Sequence, residues 1–212
     1  MGCQKRDGKG KNGDCRSLKG KRQKKMMRFR SLQEMVDQYT ILWKPIHDQE
    51  TRKFAALDPQ TALSRAAGGR TPSGDKKRSH AYLVNNSVLA QVAAAVKVRD
   101  FMGAPISFPE FYAWIRRKYA VKGFGELSSY DFAEIAWSIL RRPSDIGVVY
   151  TKRGTGKGVR ALERYLKRKF LRCRDSSGSE YIKRDEFPSE FSSLTSSHIE
   201  NMLCIYKDCI PL

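Results

Sequence analysis

The run Lys152-Arg153-Gly154-Thr155-Gly156-Lys157-Gly158 has the composition of a loop that holds an anion. Glycine lets a phosphate approach the backbone, and a helix starting just after such a loop offers unpaired N–H groups. The chemistry implied is phosphate binding, and the charge of the downstream residues strengthens it. Across 152–174 ten residues are Lys or Arg and the one acid is Glu163, a net charge of +9. A second block, 1–30, holds 12 Lys or Arg against Asp7 and Asp14, a net +10. The two blocks account for the whole formal charge of +19, and the rest of the chain is neutral. Charge gathered in this way attracts polyanions, whereas a merely solubilising surface would spread it.

The glycine run lacks the residues of a nucleotide-hydrolysing P-loop. That pattern needs Gly where Thr151 stands and Ser or Thr where Gly158 stands. Downstream, Val159, Leu162, Leu166 and Phe170 fall on one side of a helix, while Arg160, Arg164, Lys167, Arg168 and Arg172 take much of the remainder. A solvated helix face mixes charge signs, and here only Glu163 opposes the run. The expected phosphate contacts are therefore Lys152, Arg153, Lys157, Arg160, Arg164, Lys167, Arg168 and Arg172, with Lys21, Arg22, Lys24 and Lys25 from the arm. Gly158-Val159-Arg160 with Glu163 is similar to the first arginine box of tyrosine recombinases. That family also needs His-x-x-Arg and a downstream Tyr nucleophile; here Asn201 follows His198, and Tyr206 is too near. Gly123-Phe124-Gly125 between two helices resembles the turn of a helix-hairpin-helix. That resemblance implies a DNA phosphate contact and, in its glycosylases, a catalytic Asp where Asp145 stands. The catalytic Lys of their bifunctional members would fall near Leu127 and is missing.

The remaining candidates for chemistry are sparse. Cys3, Cys15, Cys173, Cys204 and Cys209 are odd in number and include no CxxC pair, so reduced thiols are expected. His198, Cys204 and Cys209 would need a fourth ligand such as Cys173 to hold zinc, and their spacing matches no closed structural site. His47 and His80 have no nucleophile beside them in sequence. No catalytic residue, metal or cofactor is expected outside the Asp145 alternative. No apolar run reaches the length of a transmembrane helix, and no signal-peptide core stands at the start. Met1-Gly2-Cys3 beside basic residues suggests acylation, but Arg6 stands where the pattern wants Ser or Thr.

The elements that must position the basic stretch read mainly as helices. Ser31-Leu32-Gln33-Glu34 has capping-box spacing and opens a helix that Pro45 stops. Asp58-Pro59 caps a second short helix ended by Gly68-Gly69, and 70–80 reads as a loop. Ala81 to Val84 reads as extended, and Ser87 opens a core helix to about Asp100. Helices follow over Ser107 to about Tyr119 and over Ser128 to Leu140, where Phe132, Ile135, Ala136, Ile139 and Leu140 fit a helical stripe. Ile146 to Thr151 is the strand candidate. Beyond 175 a Ser-rich loop leads to a last helix from Ser197 to about Cys209.

These observations predict a mainly α, compact helical domain with one short β element, in a winged or helix-turn-helix-like arrangement, behind a disordered basic arm. Three parts are expected: the arm 1–30, a core 31–174 with the basic strand-turn-helix at 146–172, and the segment 175–212. The expected function is non-enzymatic binding of DNA or RNA inside the cell, in cytoplasm, nucleoid or nucleus. The alternatives are a helix-hairpin-helix DNA repair enzyme and a peripheral protein whose polybasic arm meets an anionic membrane surface.

Overall fold

The computed structural model describes residues 29–211, apart from Ser79, Arg141, Ser144 and the side chain of Arg153. Lys21, Arg22, Lys24 and Lys25, and the expected disorder of the arm up to residue 28, lie outside the described residues. The chain is mainly α-helical with one small three-stranded sheet.

Local signals decide where several helices begin. Ser31 Oγ accepts from the Glu34 N–H at 3.2 Å to cap α1 (Leu32–Leu42), and the Glu34 carboxylate accepts from the Arg30 N–H at 2.7 Å. Pro45 ends that helix by sitting in the first turn of the next, α2 (Lys44–Ala55). Asp58 accepts from the Thr61 N–H at 3.0 Å and caps α3 (Pro59–Ala67). The following helix, α4 (Asn86–Ala95), is capped by Asn85 rather than Ser87 and is shorter than its alanines suggest. Its expected continuation is a separate 3₁₀ turn, Val98–Phe101, and the expected extended piece before it is another, His80–Leu83. Then come α5 (Phe108–Lys118) and α6 (Glu126–Ile139). Gly125 precedes α6 as its cap, while Ser128 and Ser129 are buried inside it, Ser129 Oγ donating to the Gly125 carbonyl at 3.0 Å.

The second half departs further from expectation. After β1 (Val148–Tyr150) the chain enters α7 (Arg153–Leu166) at once, so Ile146 to Lys157 forms no wing. Lys167 ends α7 in the left-handed region at φ 53°, and Arg172 lies in a strand, β2 (Arg172–Arg174). The strand β3 (Glu180–Lys183) runs antiparallel between the other two, with Val149 opposite Ile182 and Cys173 opposite Tyr181. The last helix is α8 (Ser196–Ile205), with Thr195 as its cap.

The sheet is a wall between two cores, because successive strand residues face opposite ways. Val148 and Tyr150 join a core built from α3 to α6 and Phe54 of α2, rich in aromatic rings such as Phe101, Phe108, Phe111, Phe132 and Trp137. Val149 and Ile182 join a second core that gathers α1, α7, α8 and the segment from Phe170 to Phe191. Each large apolar side chain sealed in this way contributes about 1.5–3 kcal/mol. The second core begins with Phe29, whose ring meets Tyr206 edge-on at 4.9 Å, so packed structure starts ahead of Ser31. Residues 175–211 supply the central strand and much of the second core.

Candidate functional site

The glycine run is helix, not loop. Gly154, Gly156 and Gly158 lie in the first turns of α7, and the Gly156 N–H donates to the Lys152 carbonyl at 3.2 Å. Packing overrides the poor helix propensity of glycine. A β-carbon at Gly158 would stand 2.3 Å from the Leu203 carbonyl oxygen, and one at Gly154 would stand 2.5 Å from Cys204 Sγ. The glycines let α7 close on α8, with Val159 and Leu162 buried beside them. They are spent on contact between helices, which removes the phosphate cradle that the composition suggested.

The basic residues divide by environment. Lys157, Arg160 and Arg164 are exposed at three- and four-residue steps along one face of α7, and exposed Lys167 and Arg168 continue past its end. Among the described residues, none of Lys157, Arg160, Arg164 and Lys167 forms an ion pair with an acid. Arg168 donates to the Glu186 carbonyl at 2.6 Å and lies 5.2 Å from the Phe170 ring centre, which fixes its direction. Arg172 is engaged inside the protein, with Nη1 2.8 Å from Glu163 Oε1 and Nε 3.0 Å from Glu180 Oε1. Burial would raise the Glu163 carboxyl, but hydrogen bonds from Arg172 and the Phe170 N–H hold it below its ordinary range. The one acid of the stretch is thus turned inward, and it leaves the outer face uniformly positive. Arg153 opens α7, and its side chain lies outside the described residues.

Lys152 leaves the set of phosphate contacts because it is 8% exposed. Its Nζ donates to Tyr112 Oη, sits 3.0 Å from Glu126 Oε1, and lies 3.9 Å and 4.8 Å from the ring centres of Tyr112 and Tyr150. Burial brings its pKa down to about 8 against the opposing pull of Glu126. The electron-rich ring faces and one carboxylate replace the lost water.

Asp145 is committed to the fold. Its Oδ1 accepts from the Gly147 and Ser196 N–H groups, both at 3.0 Å, and its Oδ2 lies 2.9 Å from Arg184 Nε. It ties the loop before β1 to the start of α8. Gly123, at φ 97°, makes the turn between α5 and α6, and Phe124 within it is buried.

A second group of titratable side chains, scattered in the sequence, comes together in the fold. A cleft of about 490 Å³ opens between α2, α6 and the start of α8. His47 lies against Glu134 at 3.3 Å, and His198 Nε2 lies 2.9 Å from Asp48 Oδ1. The two imidazoles meet edge-on, 5.1 Å between centres. His198 Nδ1 is 3.0 Å from Thr195 Oγ1, the cap of α8, and Lys44 Nζ is 2.6 Å from Asp48 Oδ2. Burial would raise the Glu134 carboxyl, but its bond to His47 draws it down to about 2. His47 is raised because Glu134 outweighs burial, whereas burial and the neighbouring His47 charge lower His198. Donor atoms of His47, Asp48 and His198 all lie within 4.8 Å of one another. Asp48 and His198 are 150 positions apart, so spacing in the sequence gave no sign of the cluster.

Comparison of the chain with protein-family models, curated proteins and solved structures returns no match.

Proposed function

We propose that this chain binds nucleic acid, DNA or RNA, through phosphate contacts on the outer face of α7. The observation that carries the reading is the exposed row Lys157, Arg160, Arg164, Lys167 and Arg168, in which the first four have no acidic partner among the described residues. A row of exposed cations along and just past a helix can follow a phosphate backbone and release its counterions. Contacts of that kind position a nucleic acid without reading its sequence. The basic residues of 1–30 add an electrostatic arm to the same interaction, since they carry a net +10. Among the described residues no helix is long and apolar enough to cross a membrane.

The test is a titration of the full chain against duplex DNA, single-stranded DNA and RNA at several salt concentrations. Affinity should fall steeply with salt, with a slope near −0.9 per neutralised phosphate on duplex. Affinity indifferent to salt, or weaker for every nucleic acid than for an unrelated acidic polymer, would overturn the reading.

A further inference from the structure

The cleft between α2, α6 and α8 carries chemistry that phosphate binding does not use. We propose that His47, Asp48 and His198 bind one divalent transition-metal ion of the zinc class, with a coordination position open to the cleft. Two imidazoles and a carboxylate bring one donor atom each to within 4.8 Å of the others. Around a metal with bonds of about 2.0–2.2 Å such donors stand roughly 3.4 Å apart, so closure takes only small side-chain rotations. His198 Nε2 and Asp48 Oδ1, now in direct contact at 2.9 Å, need only part slightly to admit the ion.

The surroundings are those of a ligand set held in place. A metal-binding imidazole is oriented by a partner on its other nitrogen. Thr195 Oγ1 stands 3.0 Å from His198 Nδ1, which leaves Nε2 turned to Asp48. Glu134 stands behind His47 at 3.3 Å as a carboxylate support. Lys44 takes Asp48 Oδ2, so Oδ1 faces the histidine. The donor types choose the class of ion: imidazole with carboxylate suits zinc and its neighbours, whereas calcium and magnesium want more oxygen ligands. Three protein ligands facing a cleft of about 490 Å³ leave the fourth position to water or a small anion, the pattern of a reactive rather than a purely structural zinc site. The rival arrangement is two separate histidine–carboxylate pairs that need no ion.

The experiment uses the full chain, stripped with a chelator. Zinc is titrated against a chromophoric competitor, and cobalt uptake is followed by visible absorption. One ion per chain is expected, with a cobalt spectrum free of the thiolate charge-transfer band that the cysteines would produce. Saturating zinc should raise the melting temperature, because it binds only the folded chain. Asp48→Asn, at a side chain one third exposed, should fold normally and lose about tenfold or more in zinc affinity together with the thermal shift. His47→Gln serves as the second variant with the same expectation. Failure to take up one equivalent, a thiolate band, or wild-type affinity in both folded variants would each overturn the proposal in favour of the ion-free pairs.

Discussion

The two long faces of α7 are built from opposite materials. The inner face has glycines with Val159 and Leu162 and closes on the backbone of α8, with Gly158 below the Leu203 carbonyl. The outer face has Lys157, Arg160 and Arg164, which touch no acid among the described residues. One helix thus separates what the fold requires from what a polyanion would require. The separation is sharp enough that substitutions on one face should leave the other property unchanged.

The largest effect is expected on the inner face. Gly158→Ala gains about 1 kcal/mol in helix propensity. Its β-carbon would meet a backbone oxygen at 2.3 Å, so α7 and α8 must move apart. Overpacking against backbone should win, with a cost at the top of its usual range and a net loss of about 2 kcal/mol in denaturant unfolding. Gly154→Ala should cost less, because its obstacle is the Cys204 side chain rather than backbone.

Next in size is the outer face. Reversing Lys157, Arg160 and Arg164 to Glu should lower nucleic-acid affinity about a hundredfold at low salt. The melting temperature should stay near wild type, since these side chains support no buried group. A triple variant that unfolds, or binds unchanged, would break the division between the faces.

Lys152, immediately ahead of α7, is a basic residue turned to the inner side, and it should behave in the opposite sense from the exposed row. Its folded pKa, about 8, lies below the ordinary 10.5, so between those values the unfolded chain binds more protons. Stability from this group therefore rises with pH across that window, and the cost of burying the charge applies in full below pH 8. Lys152→Met should be more stable than wild type by about 1 kcal/mol at neutral pH, since the lowered pKa marks a net cost of burying the ammonium that Met does not bear. The advantage should shrink toward pH 10 in denaturant titrations. Glu126 keeps Ser179 and Arg116 as partners, so losing the lysine does not strand it. The smallest effect belongs to Lys157→Ala, which should reduce the salt slope of duplex binding by about one unit or less and leave unfolding unchanged.

Much of the helical order could be read from local chemistry. Ser31 and Asp58 act as caps with the spacing that the sequence showed, and the stripe through Phe132, Ile135 and Ala136 is buried as its period required. Features decided by distant contacts were hidden. The first turns of α7 read as a loop because glycine disfavours helix, and only the approach of α8 explains them. The central strand β3, Glu-Tyr-Ile-Lys, is short and half polar, so nothing in it announced a strand paired on both edges. Arg160 and Arg164 could be read as one exposed face, because their charge and their period both lie within one helix. Lys152 and Arg172 belonged to the same charge count, yet burial and carboxylate partners set them apart. The histidine cleft was hidden because His47, Asp48 and His198 are joined by the fold rather than by spacing.

The two cores on either side of the sheet also set an order of events during synthesis. Side chains of the first core all lie between Phe54 and Tyr150, apart from Tyr181 packed at its margin, so it can begin to gather once that length has left the ribosome. The second core joins Leu32, Met35 and Tyr39 of α1 to partners that start at Val149 and end at Ile210. An element made before the first core must therefore wait, with its apolar stripe uncovered, until Val149 and the residues that follow it arrive. Contacts this distant in sequence slow folding and expose sticky surface meanwhile. In this fold the cover for α1 comes chiefly from chain made after it, so its burial is among the later steps.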